Sequence, residues 1–379
     1  MCAWQAAARG RSVLVLEKGP KAGLKILVSG GGRCNFTNTF VDPREHFLSN
    51  NEHFCVSALR RFEPADFIAL VEQRGIDYHE KTLGQLFCDD SAKNIVSLLL
   101  DACRAEAVAI RLKQTVSSVR RDDQDQFEVI SQDNTYRARQ VVIASGGLSL
   151  PKVASDFAFQ CAGNFGLGCV ATRPALVPLL WNPADRQRFA PLTGIAVPVA
   201  IRTQDHSVEF RESLLFTHKG LSGPVILQAS SYWAEGAALY IDWLPDVDAA
   251  AWLTEAVQSN PQQQLSTALK TRLPKRLVDL LGADWSAEAK LGAMHPNALT
   301  AIGEQINGWR FDPAGTEGYA TAEVTAGGID TAEVSSKTFA VKKVPGLYVI
   351  GEALDVTGWL GGYNFQWAWA SGWCCGQHL

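Results

Sequence analysis

Apolar spacing changes several times along the chain, and each change predicts an element. MCAWQAAARG is alanine-rich and reads as a helix ending at Gly10, a residue suited to closing a helix. Ser12 to Leu16 is a compact segment that reads as a buried strand, with Glu17 at its end. Helical spacing returns in PADFIALVEQRG (Phe67, Ile68, Val71) and in SAKNIVSLLLDACRAEAV (Ile95, Leu98, Leu99, Ala102). Residues 40–107 therefore read as helical, with TLGQLFCDD as a turn between the two runs. From 109 to 147 the apolar segments shorten to strand size and are separated by polar turns. Val116 and Val119 begin that stretch, FEVIS continues it, and QVVIASGG carries a buried strand straight into Ser145-Gly146-Gly147.

Beyond 148 a turn, a helix and a proline-bearing strand are expected, and then the texture changes. GIAVPVAIRT, VEFRESLLFTH and ALYIDWLP alternate and are rich in strand formers, which predicts an antiparallel or barrel-like unit. Between them FTHKGLSGPVILQASSYW reads as a loop entering a helix, with Ser222 as a candidate N-cap. Residues 246–310 read as helical, and TRLPKRLVDLL within them is a basic helix start with no role evident beyond surface charge. LYVIGE then predicts a strand with an acid just past its end, and Gly361-Gly362-Tyr363-Asn364 opens the apolar helix FQWAWASGWCC. The pattern is that of an α/β chain. One discontinuous domain covers 1–170 and 319–379, and the insert 171–318 has a β-rich part (171–245) and a helical part (246–318).

Composition narrows the class. The 379 residues are 47% hydrophobic and 20% charged, ordinary for a soluble globular protein. The net charge of −4 gives no footprint for nucleic acid, and no block of like charges reads as a basic arm. No apolar run is long enough for a membrane span, and the first residues lack the features of a secretory signal. Nine scattered cysteines without metal-ligand spacing point to reduced thiols and a cytoplasmic protein with no metal site.

The chemistry lies in the glycine-rich stretches. Gly30, Gly31 and Gly32 can present backbone N–H groups to an anion, and Arg33 adds a bidentate phosphate partner. Asn35 and Asn38 add amides, and Cys34 reads as a small, partly buried residue more than as a nucleophile. Glu17 stands where a dinucleotide fold places its ribose-binding acid, although a solvated strand-end charge would look the same. Glycines preceding the last helix make an anion or ring-carbonyl site, or an ordinary loop before a core helix. His218 in FTHKG is a weak catalytic candidate beside the alternative of a surface-loop histidine.

Taken together these stretches resemble the BaiN-like family of bacterial NAD(P)/FAD-dependent oxidoreductases, also called aminoacetone-oxidase-like flavoproteins. The pieces carrying the resemblance are VLVLEKGPKAGLKILVSGGGRCNFTN, VVIASGGLSLPKV, LLFTHKGLSGPVILQASS, AEVTAGGID and GLYVIGEALDVTGWLGGYNFQWAWASG. The resemblance implies an FAD-binding, Rossmann-like fold of the two-dinucleotide type with an inserted β-barrel-like and helical region. It implies FAD contacts at Glu17 and Lys18, at Gly30, Gly31, Gly32, Arg33, Cys34 and Asn35, and at Val116 beside the adenine. It implies further contacts at Ser145 and Gly146, at Gly351 and Glu352, and at Gly361, Gly362, Tyr363 and Asn364 facing the flavin ring. The family's opening strand and G-x-G-x-x-G turn have no counterpart here, since Met1 falls inside the first helix, so an N-terminal truncation is expected.

The function expected on this basis is an FAD-dependent oxidoreductase acting on a small molecule, with NAD(P)H or oxygen as redox partner. A flavin-free fragment or binding protein on the same scaffold is the alternative. An RNA-modifying enzyme is disfavoured by the charge balance, so neither a nucleic-acid partner nor a membrane is expected.

Overall fold

The computed structural model describes residues 1–132, 134–204 and 208–379. Asp133, within the stretch read as strands and polar turns, lies outside the described residues, as do residues 205–207. The chain divides into two compact units, one formed by Met1–Pro174 with Glu323–Leu379 and the other by Ala175–Ala322.

The first unit is mixed α/β. The helix Cys2–Ala8 is followed by Gly10 at φ +83°, a conformation glycine adopts without strain. Its strand Leu14–Leu16 is shorter than the apolar run suggests and pairs in parallel with Ala109–Arg111. A second parallel pair joins Val141–Ile143 to Leu347–Val349, and the buried strand Val324–Ile329 pairs with Cys169–Ala175. The chain over Val116–Arg121, Phe127–Ser131 and Thr135–Ala138 forms a three-stranded antiparallel sheet.

The stretch 40–107 differs from the sequence reading in its strands. The segment read as the turn TLGQLFCDD contains the strand Gln85–Cys88, which lies between Asn35–Asn38 and Tyr78–Glu80 in one antiparallel sheet. Phe36 and Thr37 favour a strand, but Asn at both ends does not, so this pairing depends on the neighbouring strand as well as on local propensity. Helices Val56–Arg61, Pro64–Gln73 and Lys93–Ala105 meet the helical reading of 40–107 only in part, since residues 40–55 hold no helix and Phe47–Leu48 and Tyr78–Glu80 are strands.

The last helix, Tyr363–Gly376, runs through the core of this unit. Trp367, Trp369, Cys374 and Cys375 are all buried, and the Trp369 ring stacks on Phe67 at 4.6 Å. Its polar atoms are satisfied by distant backbone. Trp369 Nε1 donates to Phe36 O at 2.8 Å, Trp367 Nε1 to Gly351 O at 3.0 Å, and Gln366 Nε2 to Phe62 O at 2.9 Å. A helix apolar on nearly every face is expected only where protein surrounds it, and these indole and amide bonds fix its rotation there.

In the second unit six strands form one antiparallel sheet. Their order is Leu179–Leu180, Gly220–Ser222, Glu209–Phe216, Ala196–Thr203, Leu239–Asp242 and Trp309–Phe311. Val197, Val199 and Ile201 are buried as the alternation requires. Ser222 ends a strand and does not cap the next helix. Gly223 at φ +89° takes the N-cap of Pro224–Ser230, because a side chain there would collide with the backbone of residues 213–215. Helices Ala249–Ser259, Leu265–Leu269, Lys275–Leu281 and Pro296–Asn307 complete the unit. Asn307 ties them to the sheet by donating to Asp242 Oδ1 at 2.8 Å and accepting from Ala249 N at 2.8 Å. No helix among the described residues is long and apolar enough to cross a membrane.

Candidate functional site

The carboxyl ends of the parallel strands carry Glu17, Lys18, Ser145, Gly146, Gly351 and Glu352. Glu17 follows Leu14–Leu16 and is held by its own backbone, its N–H donating to Arg111 O at 2.9 Å. One carboxylate oxygen accepts the Gly19 N–H at 2.6 Å, which orients the side chain. Lys18 beside it is exposed and donates to Ala154 O at 2.5 Å. Gln114 N donates to Glu17 O at 2.9 Å, so the segment entering Val116 runs alongside Glu17. Val116 itself begins its strand half-buried.

The glycine-rich stretch follows the short helix Leu24–Val28 as a single tight turn, Ser29–Gly32. Gly30, Gly31 and Gly32 have φ of +54°, +65° and +87°. A side chain on Gly30 would crowd Asn35 N and the Phe87 ring, whereas Cβ atoms on Gly31 and Gly32 would meet open space. Arg33 is exposed, and its guanidinium has no protein partner among the described residues. Cys34 is fully buried, and burial pushes its thiol up to about 12, so it is no thiolate nucleophile at neutral pH.

Asn35 joins this turn to the last helix. Its amide is satisfied with the carbonyl oxygen accepting Gly362 N at 3.2 Å and the nitrogen donating to Thr37 O at 3.0 Å. Gly362, at φ +97°, caps the last helix so closely that a Cβ would overlap the Thr37 carbonyl, and one on Gly361 would stand 3.0 Å from Gln85. Tyr363 is buried against His46, with ring centroids 4.6 Å apart. Asn364 accepts Gly358 N at 2.9 Å and donates to Gly358 O at 2.7 Å. Both side chains thus shape the glycine turn from behind.

The remaining predicted residues gather at a second point. Ser145 and Gly146 follow Val141–Ile143, and Gly351 and Glu352 follow the adjacent Leu347–Val349. A Cβ on Gly146 would lie 3.8 Å from the Glu352 carboxylate. Glu352 Oε1 accepts Thr325 N at 2.9 Å and Ser149 Oγ at 3.1 Å, while Oε2 pairs with Lys25. Lys25 also donates to Ser149 Oγ at 3.0 Å. Sequence reading missed Lys25, Ser149 and Thr325. The available signal was that each lies within or beside a glycine-bearing stretch, in KAGLKILVSGGG, ASGGLS and TAGGID. His218 belongs to the other compact unit, where it is exposed between Glu209–Phe216 and Gly220–Ser222 and its carbonyl accepts Arg186 Nε at 3.2 Å.

The residues present fit a dinucleotide cofactor. Ser145 Oγ is buried without a hydrogen-bond partner, an arrangement that costs free energy unless a further group meets it. Gly31 and Gly32 leave bare backbone facing open space beside the unpartnered Arg33. An acid after one parallel strand, with glycine turns after two others, defines a dinucleotide-binding α/β protein.

The sequence matches the HI0933-like protein Rossmann domain over residues 1–378, and the chain belongs to that family of flavoprotein oxidoreductases. The expected family, fold class and enzyme class are thereby met. The chain is 50% identical to a ribosomal RNA dihydrouridine synthase of Escherichia coli strain K12, across 100% of this chain and 94% of the relative. It is 45% identical to the protein of the same name from Haemophilus influenzae, across 99% and 94%. A 3-dehydro-bile acid delta(4,6)-reductase of Clostridium scindens is 27% identical across 96% and 92%.

Two of these relatives overturn the expectation of a small-molecule substrate and no nucleic-acid partner, since by name they act on ribosomal RNA. The expectation rested on the net charge of −4 and on the lack of a run of like charges, and neither shows where single cations gather on the folded surface.

Proposed function

We propose that the protein reduces uridine to dihydrouridine in ribosomal RNA, in the cytoplasm, with FAD as cofactor and NAD(P)H as electron donor. The observation that supports this most is half-identity, over the full chain, to a protein of that named activity. Glu17 and Lys18 would hold the adenosine end of the cofactor, with Val116 beside the adenine. The bare backbone at Gly31 and Gly32, with Arg33, would face its anionic part. Ser145 would supply a buried hydroxyl, whereas the space beside Gly361 and Gly362 is taken up by Gln85 and the Thr37 carbonyl.

FAD held there and reduced by two electrons from NAD(P)H would supply a hydride to an unsaturated carbon. Uracil offers a C5–C6 double bond conjugated to the C4 carbonyl, so hydride goes to C6 and a proton from solvent or an acid goes to C5. Two electrons and two protons enter, and no bond to the ribose changes. The chain's own part is positional. Glu352, fixed by three partners, holds the turn after one parallel strand against the glycines after its neighbour. Cys34 takes no part as a thiolate, being buried with its proton retained.

The test is to load the purified protein with FAD, add NADPH and unmodified ribosomal RNA transcripts, and digest the RNA for mass spectrometry. Uridines carrying two additional hydrogens at a defined site are expected. Full reduction of the flavin with no modified uridine in any transcript would refute the proposal.

A further inference from the structure

Residues 270–276, KTRLPKR, hold four cations and no anion in seven positions, within a unit that is otherwise acidic. That unit carries eleven lysines and arginines against fifteen aspartates and glutamates. The segment forms the link between the helices Leu265–Leu269 and Lys275–Leu281, and its four cations are all exposed. Lys270 is neutralised by Asp279 at 2.6 Å. Arg272 lies over the Trp252 ring at 5.1 Å, and neither Lys275 nor Arg276 has an ion-pair partner among the described residues.

Two more cations stand nearby. The turn Ala190–Leu192 packs on Lys275–Leu281, and Pro191 shares an open hollow with Arg276, Asp279 and Leu280. The helix Pro183–Phe189 leading into that turn carries exposed Arg186 and Arg188, the latter paired with Asp284. Arg272, Lys275, Arg276 and Arg186 form no ion pair among the described residues, and Arg186 Nε donates only to the His218 carbonyl at 3.2 Å.

The fold does not require these cations. Lys275 and Arg276 occupy the first turn of their helix, the end where a cation is disfavoured by the backbone dipole. Both side chains point away from the buried positions Leu277, Val278 and Leu281 that anchor the helix. A partner with regularly spaced negative charge would be matched by such a surface.

We propose that the face formed by residues 270–276 with Arg186 docks the phosphate backbone of the RNA substrate. The proposal rests on the RNA reading above and adds where the chain grips it. Arginines provide forked donors to phosphate oxygens, and the half-buried Trp252 under Arg272 keeps that guanidinium flat and presented outward. Contacts of this kind give affinity without sequence preference, so the choice of uridine is made elsewhere.

The experiment uses the FAD-loaded full chain and deproteinised ribosomal RNA of Escherichia coli. A triple variant, Arg272→Gln with Lys275→Gln and Arg276→Gln, is compared with a control triple, Lys93→Gln with Arg139→Gln and Lys337→Gln, drawn from exposed cations of the first unit. The expected result is at least about a tenfold loss of RNA affinity in the first variant. The slope of log affinity against log salt should also be shallower by about 2. Flavin content and thermal midpoint should match wild type, and the control should bind RNA as wild type does. Wild-type RNA binding that the first triple leaves intact, in affinity and in salt slope, overturns this surface while leaving the RNA reading standing. Absence of RNA binding by the wild type overturns both. Loss of binding to anionic phospholipid vesicles in the first triple, with RNA binding unchanged, would assign the face to a lipid surface and also overturn the proposal.

Discussion

Lys25 and Glu352, 327 residues apart in the chain, meet as an ion pair beside the glycines that end one parallel strand. The pair is only partly shielded, with the lysine side chain 33% exposed and the glutamate 17%. Its larger contribution is to geometry. Glu352 also accepts the Thr325 backbone N–H and the Ser149 hydroxyl, so one carboxylate joins three distant segments. Removing it in Glu352→Ala leaves a backbone donor unpaired, and a loss of about 1–3 kcal/mol in unfolding free energy is expected. Denaturant titration checks this, and Glu352→Gln should recover part of the loss because an amide oxygen can still accept from Thr325.

Arg33→Ala should weaken FAD retention about tenfold, and Arg44→Ala should leave it near wild type. Both arginines are exposed, but only Arg33 continues the positive-φ glycine turn. Charge-assisted hydrogen bonds to an anion are the contacts such a site loses. Flavin released on dialysis against increasing salt gives the measurement, and equal retention in the two variants would contradict the assignment.

Gly362→Ala and Gly31→Ala should differ in stability although both glycines have positive φ. The first would drive a methyl group into the Thr37 carbonyl, while the second would place one in open space. Gly31→Ala should cost about 1–2 kcal/mol from the left-handed backbone alone. Gly362→Ala adds overpacking of roughly 1–3 kcal/mol against main chain that cannot yield. Thermal melting of the two proteins without flavin separates this effect from cofactor binding.

Stability should fall as pH drops below neutrality, in part through His46. Burial lowers its pKa against the opposing charges of Glu45 and Asp42, and its Nδ1 accepts the Asp42 N–H at 3.0 Å, a role open only to unprotonated nitrogen. The unfolded imidazole titrates near 6.5, so below about that pH the unfolded chain takes up a proton that folded His46 refuses. The contribution is fully present above the unfolded pKa and is lost as pH falls towards the folded one. Unfolding free energies at pH 7.5 and 5.5 should differ more in wild type than in His46→Gln; an equal difference would remove His46 from the account.

The elements most legible in the sequence were those whose reason is local. The last helix announced itself through glycines followed by a long apolar run, and the strands of the second unit through partial alternation and richness in strand formers. The strand Asn35–Asn38 was hidden because it is only four residues long, with Asn at both ends, and is completed by pairing with Gln85–Cys88. The convergence of Lys25, Ser149 and Thr325 on Glu352 was hidden for the same reason, since no spacing in the chain foretells a contact made by tertiary folding. The expectation of no nucleic-acid partner, which two relatives overturn by name, rested on net charge and on the lack of a run of like charges, and neither shows where single cations lie on a folded surface.

The most direct measurement is the reoxidation of reduced flavin under anaerobic conditions. The FAD-loaded protein is reduced with one equivalent of NADPH and mixed with unmodified ribosomal RNA, with uridine monophosphate, or with a 3-oxo bile acid bearing conjugated double bonds. Rapid return of the oxidised flavin absorbance with ribosomal RNA, and slow or no return with the two small molecules, is the result predicted here. Rapid reoxidation by the bile acid with none by the RNA would contradict the account.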